Sequence, residues 1–306
     1  MKRRNFLKQN VAATAAVLTS SSLFANAQVA SSPINPAPFK MNYGIHDGMF
    51  SALAGNDFID QIKFAHDQGF TAIEDNGMMD RTPAMQEKIG NTLSALNMKM
   101  GVFVISFDHW PLSISMTSSD QNWRKKFIDY CNEAVVVAKR CNAKYMTVVP
   151  GNYDHTKSLD MQLANVLEAL RPGVEILEKN NLVMVLEPLS DTPELFLRHS
   201  DQTYAICKAM NSKACKILFD MYHMQRNEGN IINNIDRCWE EIGYFQIGDN
   251  PGRNEPSTGE MNYKNIFKHI HAKGYTGILG MEHGMAGKGK EGELALIKAY
   301  READNF

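Results

Sequence analysis

Two glutamates close apolar, strand-forming runs almost a hundred residues apart: Glu187 in "VLEPLS" (185–190) and Glu282 in "ILGMEHG" (278–284). Asp220 falls in a third run, "KILFDMYH" (216–223), and Gln246 in a fourth, "YFQIGD" (244–249). Carboxylates brought together repel, and one of them takes up a proton unless a cation sits among them. Carboxylate and amide oxygens suit a hard divalent ion, Mg2+ or Mn2+, with coordination positions left for the oxygens of a ligand. That combination fits chemistry beside a carbonyl. Interconverting an α-hydroxy aldehyde and an α-hydroxy ketone removes a proton next to a carbonyl, passes through an enediolate and returns a proton to the adjacent carbon. Two carboxylates on opposite sides of a substrate plane can remove and return that proton, each keeping one oxygen for metal and one for the proton. A single acid at a strand end is equally well explained as a helix cap or an arginine partner; four oxygen-bearing residues in register are not.

Such convergence requires elements that bring distant residues together. From residue 41 the chain alternates short apolar runs, "MNYGIHD", "TAIEDN", "KMGVFVIS", "KYMTVVPG", "LVMVLEPLS", "KILFDMYH", "YFQIGD" and "GILGMEHG", with amphipathic stretches such as "NDFIDQIKFAHDQG" and "LDMQLANVLEALRPGVEILEKN". The runs read as buried parallel strands and the stretches as helices ending at Gly or Asn. Eight such units predict an α/β fold, a single (β/α)8 TIM barrel over residues 41–306. Its C-terminal strand ends converge on one face. An open doubly wound sheet is the alternative, but neither G-x-G-x-x-G nor G-x-x-x-x-G-K-[ST] is present. "FAHDQGFTAIED" and "HIHAKGYTGILGME" echo one another, as a Gly-capped helix dropping into a strand would by itself. On this reading Asp220 and Gln246 sit at the solvent-facing rim.

Further residues fall near the same face. Arg253, past the seventh strand, could hold a substrate carboxylate by a bidentate contact, with a salt bridge to Glu255 or Asp249 as the competing role. His223, three residues after Asp220, could bond a substrate oxygen or orient a ligand. Glu74, ending the second strand, either polarises a substrate hydroxyl or holds His46. Phe107, Asp108, His109 and Trp110 follow the third strand and could wall the pocket.

The N-terminus reads differently. "MKRRNFLKQN", then "VAATAAVLT", then "ANA" at 25–27 give the basic, apolar and small-residue order of an export signal, and Arg3-Arg4 with Phe-Leu-Lys resembles a twin-arginine leader. The expected organisation is a signal peptide over 1–27, a linker over 28–40 and a periplasmic barrel. The run is too short and too rich in Ala and Thr for a stable membrane span. Removing a leader with four basic and no acidic residues takes the formal charge from −2 to −6. An acidic chain is a poor match for nucleic acid. The partners implied are a small-molecule substrate and, in a homo-oligomer, further copies of the chain. Five cysteines without a C-x-x-C pair imply neither a disulfide framework nor a thiolate metal cluster. A glycosidase would need no further ligands at Asp220 and Gln246, and would normally line its cleft with more than three Trp.

The segment "FQIGDNPGRNEPSTGEMNYKNIF" (245–267), most specifically "PGRNEPSTGEMNY", resembles the hydroxypyruvate isomerases and 2-oxo-tetronate isomerases. These belong to the xylose-isomerase-like barrel superfamily, which also holds ketose 3-epimerases, inosose dehydratases and an AP endonuclease. The resemblance implies that Glu187, Asp220, Gln246 and Glu282 bind one divalent metal and that the two glutamates act as acid and base. A nuclease of this superfamily would need several more His ligands and a basic face. A sugar 3-epimerase, an inosose-dehydratase-like lyase and a non-catalytic periplasmic sugar binder are the alternatives on the same barrel. Two departures stand out. Family members commonly follow the last glutamate with Tyr and then Pro, where this chain has His283, Gly284 and Met285 ahead of a Gly- and Lys-rich loop, and members with assigned activities are mostly cytoplasmic.

Overall fold

The structure, a computed structural model, describes residues 37–106 and 113–306. The expected signal peptide, all but the last residues of the linker, and the Phe107–Trp110 wall lie outside the described residues. Nine strands follow in chain order: β1 (Asn42–Ile45), β2 (Ala72–Ile73), β3 (Lys99–Met100), β4 (Val102–Val104), β5 (Tyr145–Val148), β6 (Val183–Leu186), β7 (Cys215–Asp220), β8 (Ile242–Gln246) and β9 (Ile278–Gly280). All pair in parallel, in the order β3-β2-β1-β9-β8-β7-β6-β5-β4. Each of the eight expected runs contains a strand, the third being split into β3 and β4 at Gly101.

That split closes the barrel. Gly101 N–H donates to the Ile73 carbonyl (2.7 Å), and just beyond β2 Asp75 N–H reaches the Val102 carbonyl (3.2 Å) while Val104 N–H reaches that of Asn76 (3.2 Å). A Cβ at position 101 would overlap the Tyr244 hydroxyl and the Ile73 carbonyl oxygen, so the close approach requires glycine.

The period-two alternation of strands sorts each run into two layers. Met184 and Leu186 point outward into the core shared with the helices, while Val183 and Val185 join Ala72, Val102, Leu218, Tyr244 and Ile278 in a small apolar plug inside the barrel. Continuing the same alternation past the plug places Glu74 and Asn76 after Ala72, Glu187 after Val185, Asp220 after Leu218, Gln246 after Tyr244 and Glu282 after Ile278. The outer helices are fixed at their ends by side chains: Asp57, Thr82 and Asp120 accept from backbone N–H groups of Phe58–Asp67, Pro83–Ala95 and Gln121–Cys141. Asn142 and Asn211 end two helices in the left-handed conformation. All five cysteines are buried and free, as small core hydrophobes. No helix among the described residues is long and apolar enough to cross a membrane.

Candidate active site

Glu187, Asp220, His223 and Glu282 each direct one ligand-type atom to a common point, those atoms lying within 4.8 Å of one another. Glu187 follows β6 immediately, Asp220 ends β7, and Glu282 lies two residues past β9. Asp220 and Gln246 are register partners on β7 and β8, and Gln246 and Gly280 on β8 and β9. The expected juxtaposition of distant strand ends is therefore present in the geometry. The expectation that Asp220 and Gln246 face solvent is corrected: they are 0% and 1% exposed, with Arg253 over Asp220 and Glu74 against Gln246.

Gln246 is oriented from behind. Its Nε2 donates to Glu74 Oε1 (2.6 Å), and Glu74 also accepts from His46 Nε2 (3.0 Å, Oε1) and from the Tyr244 hydroxyl (2.9 Å, Oε2). With the amide nitrogen committed, Oε1 of Gln246 is buried without a partner. A Cβ at Gly280 would overlap Glu74 Oε2, so the bare backbone of β9 makes room for this carboxylate. Glu74 thus holds His46, as one sequence reading had it, and holds Gln246 as well. Fully buried, it orients both of these side chains. Burial disfavours charge on His46, but the carboxylates of Glu74, Glu282 and Asp75 together raise its pKa above the usual imidazole value.

His223 is set by its far nitrogen. Nδ1 accepts the backbone N–H of Ser190 (3.1 Å) and lies 2.8 Å from its hydroxyl. Because Nδ1 accepts from Ser190 N–H, the ring proton sits on Nε2, which faces Asp220 Oδ2 (3.4 Å) and Glu187 Oε1 (3.8 Å), while burial lowers the ring's pKa. A ring nitrogen that carries a proton is a donor and not a metal ligand.

Arg253 takes different partners from those expected. Asp249 accepts the N–H groups of Gly259 and Met261, and Glu255 accepts that of Ala286; both carboxylates fasten loops. Arg253 itself sits in the left-handed region (φ 50°) and aims Nη2 at Glu282 Oε2 (2.6 Å) and Asp220 Oδ2 (3.1 Å), with Nε on the Glu282 carbonyl (3.1 Å) and the guanidinium 4.9 Å from the Tyr222 ring centre. Among the described residues its Nη1 has no protein partner. Asn76, unforeseen in the sequence, donates to the other oxygen of Glu282 (2.7 Å).

Burial, followed by repulsion from Glu282 and Asp220, pushes Glu187 well above the usual carboxylate range. Burial likewise raises Glu282 to about 7, against the opposing pull of Arg253. A tight set of hard oxygens with strained ionisation and an unpartnered buried amide oxygen fits a divalent cation. Glu187, Asp220, Gln246 and Glu282 are the residues that would hold it. The departure at His283 leaves this set untouched: Nδ1 donates to the Gly284 carbonyl (2.6 Å), Nε2 accepts from Tyr300 (2.7 Å), and the ring stacks on Tyr300 outside the cluster.

Fold and cluster together define a parallel α/β barrel that assembles a carboxylate centre at its C-terminal strand ends. More particularly, residues 62–302 match the xylose isomerase-like TIM barrel family, and the chain belongs to it. It is 32% identical over 161 residues to the hydroxypyruvate isomerase of Escherichia coli (strain K12), covering 52% of this chain and 62% of that one. It is 33% identical over 139 residues to the 2-oxo-tetronate isomerase of Cupriavidus necator, covering 45% and 53%. The matched stretch thus spans between half and two thirds of these relatives' own length. Among solved structures, an AP endonuclease family 2 protein from Brucella melitensis superposes with a TM-score of 0.72 at 20% identity, over 82% of this chain and 96% of that one, a likeness of fold.

Proposed function

We propose that this chain is an isomerase of small α-hydroxy carbonyl compounds, hydroxypyruvate-like or sugar-like, that depends on one divalent metal ion and moves a proton through an enediolate. The observation that carries the reading is the meeting of Glu187 and Glu282, from separate strands, in one buried cluster with Asp220. The names of the two isomerase relatives support it.

Mg2+ or Mn2+, when bound, supplies Lewis-acid stabilisation of the oxyanion that develops as the proton leaves. The remaining work belongs to side chains. In the metal-free chain Glu282 is raised to about 7, and a cation among the carboxylates lowers that value, so its fitness as the base rests on its place beside the cluster. Asn76 and Arg253 fix its two oxygens, so the carboxylate does not rotate between the two transfers. Nε2–H of His223 is placed to donate to a substrate hydroxyl or carbonyl oxygen, and the open Nη1 of Arg253 to receive a carboxylate such as that of hydroxypyruvate.

The test is direct. The purified chain with Mg2+ or Mn2+ is incubated with hydroxypyruvate, 2-oxo-tetronate and simple ketoses, and the isomeric product is followed by proton NMR. Metal-dependent interconversion of at least one is expected. Retained metal with no conversion of any would sink the reading and favour a binding protein.

A further inference from the structure

A cavity of about 760 Å3 opens on the end of the barrel opposite the carboxylate centre. It is lined by the residues that begin strands: Lys99 of β3, Tyr145 of β5, Val183 of β6, Ile242 of β8, and Ile278 of β9. Its floor is the lower side of the interior apolar plug, to which Val183 and Ile278 belong, so it is separated from the carboxylate centre by the filled barrel. The size falls within the range of small-molecule sites.

Its charge sets it apart. Five lysines line the wall, Lys99, Lys144, Lys213, Lys216 and Lys273, and no aspartate or glutamate does, in a chain whose formal charge is −2. Two of the five are neutralised: Lys216 by Glu241 (2.5 Å) and Lys273 by Asp236 (2.7 Å). Lys99, Lys144 and Lys213 are exposed and have no carboxylate partner among the described residues. Three uncompensated ammonium groups around one concavity raise the local concentration of anions. A monoanion leaves most of that charge unmet. Closely spaced negative groups on one small molecule answer it, each oxygen accepting a charge-assisted bond from a flexible lysine. Trp239, half-buried in the same wall beneath the Lys273 ammonium (4.7 Å to the ring), adds a flat apolar surface.

We propose that this N-terminal mouth is a binding site for a small molecule carrying a diphosphate or similarly dense anionic group, distinct from the centre at the strand C-termini. The flexibility of lysine suits a point-charge grip on phosphate without the planar geometry an arginine would demand.

The probe is inorganic pyrophosphate, titrated calorimetrically into the full chain in a chelating buffer, so that no metal at the other face can take it up. One equivalent should bind with a sub-millimolar Kd that weakens as salt rises, and orthophosphate should bind at least about tenfold more weakly. The exposed pair Lys144→Met and Lys213→Met together should weaken pyrophosphate binding by about tenfold or more while the melting temperature stays unchanged. Arg253→Met, on the opposite face, should leave it as it was. Absence of saturable binding, an unaltered Kd in the lysine double variant, or loss of binding in Arg253→Met would each overturn the proposal.

Discussion

The Gln246 amide nitrogen lies 2.6 Å from Glu74 Oε1, and this one bond commits the nitrogen and leaves the buried Oε1 of the amide without a partner. Glu74 is acceptor-only when ionised, so it holds the nitrogen and leaves Oε1 free as an oxygen donor. Replacing Glu74 with Gln removes that selection and also changes the partner of His46. Divalent-metal affinity in Glu74→Gln should fall about 10- to 100-fold, the usual cost of losing a group that orients a ligand. Calorimetric titration with Mn2+ checks this, and affinity equal to wild type would detach Glu74 from the centre.

His223 offers a contrast. If its proton sits on Nε2, as the Ser190 N–H donor requires, it is no ligand. His223→Asn can still accept from Ser190 through its carbonyl while offering an N–H forward. Mn2+ affinity should stay within about threefold of wild type while turnover falls by about two orders of magnitude. Loss of metal with the substitution would return His223 to the ligand set.

Much of this is legible in the sequence. The inward alternation that ends in Glu187, Asp220, Gln246 and Glu282 follows from strand geometry, and applied to "TAIEDN" it also reaches Asn76, which sits in phase with Ala72 and Glu74. What escaped is non-local. Arg253 meets Glu282 because its loop is pinned by Gly284 N–H on the Arg253 carbonyl and by Ala286 N–H on Glu255, contacts made across about thirty residues. The same pinning brings Arg253 over Asp220, one reason a rim position is buried. Ser190 lies beyond the strand, where alternation no longer predicts direction.

The raised carboxylates make a prediction about pH. Glu282 has a folded pKa of about 7, above the unfolded carboxylate value, so between the two the folded state binds more protons than the unfolded. Stability of the metal-free chain should therefore fall as pH rises from about 6.5 to 7.5, with Glu187, also raised, acting in the same direction; below that window the lowered pKa values of His283 and His223 pull the other way. A divalent cation relieves the repulsion and should raise the melting temperature more at pH 7.5 than at pH 5. Scanning calorimetry with chelator or Mn2+ at both values decides it; a metal effect independent of pH would count against carboxylate ligation.

For location, we propose export by the twin-arginine route. Changing Arg3 and Arg4 to Lys should leave the precursor in the cytoplasm, while the wild type is recovered from the periplasm cut after Ala27. Cell fractionation reads the outcome, and export of the double variant at the normal rate would end the idea.

The roles of Glu187 and Glu282 permit the sharpest test. A proton taken from carbon onto a carboxylate exchanges with solvent before it is returned, whereas a hydride passed directly between carbons does not. Substrate turned over in deuterium oxide should therefore acquire carbon-bound deuterium. Glu187→Gln and Glu282→Gln keep the side-chain shape and one oxygen but remove the base. Each should lower turnover by about two to four orders of magnitude. The two need not fall equally: Glu282 is tied by Asn76 and Arg253, and a glutamine there must offer its NH2 to a neighbour that already donates, so the loss should be the larger. Circular dichroism and Mn2+ titration separate loss of the base from loss of fold or metal. Near-normal turnover in either variant, with metal bound, would remove that glutamate from the acid/base pair.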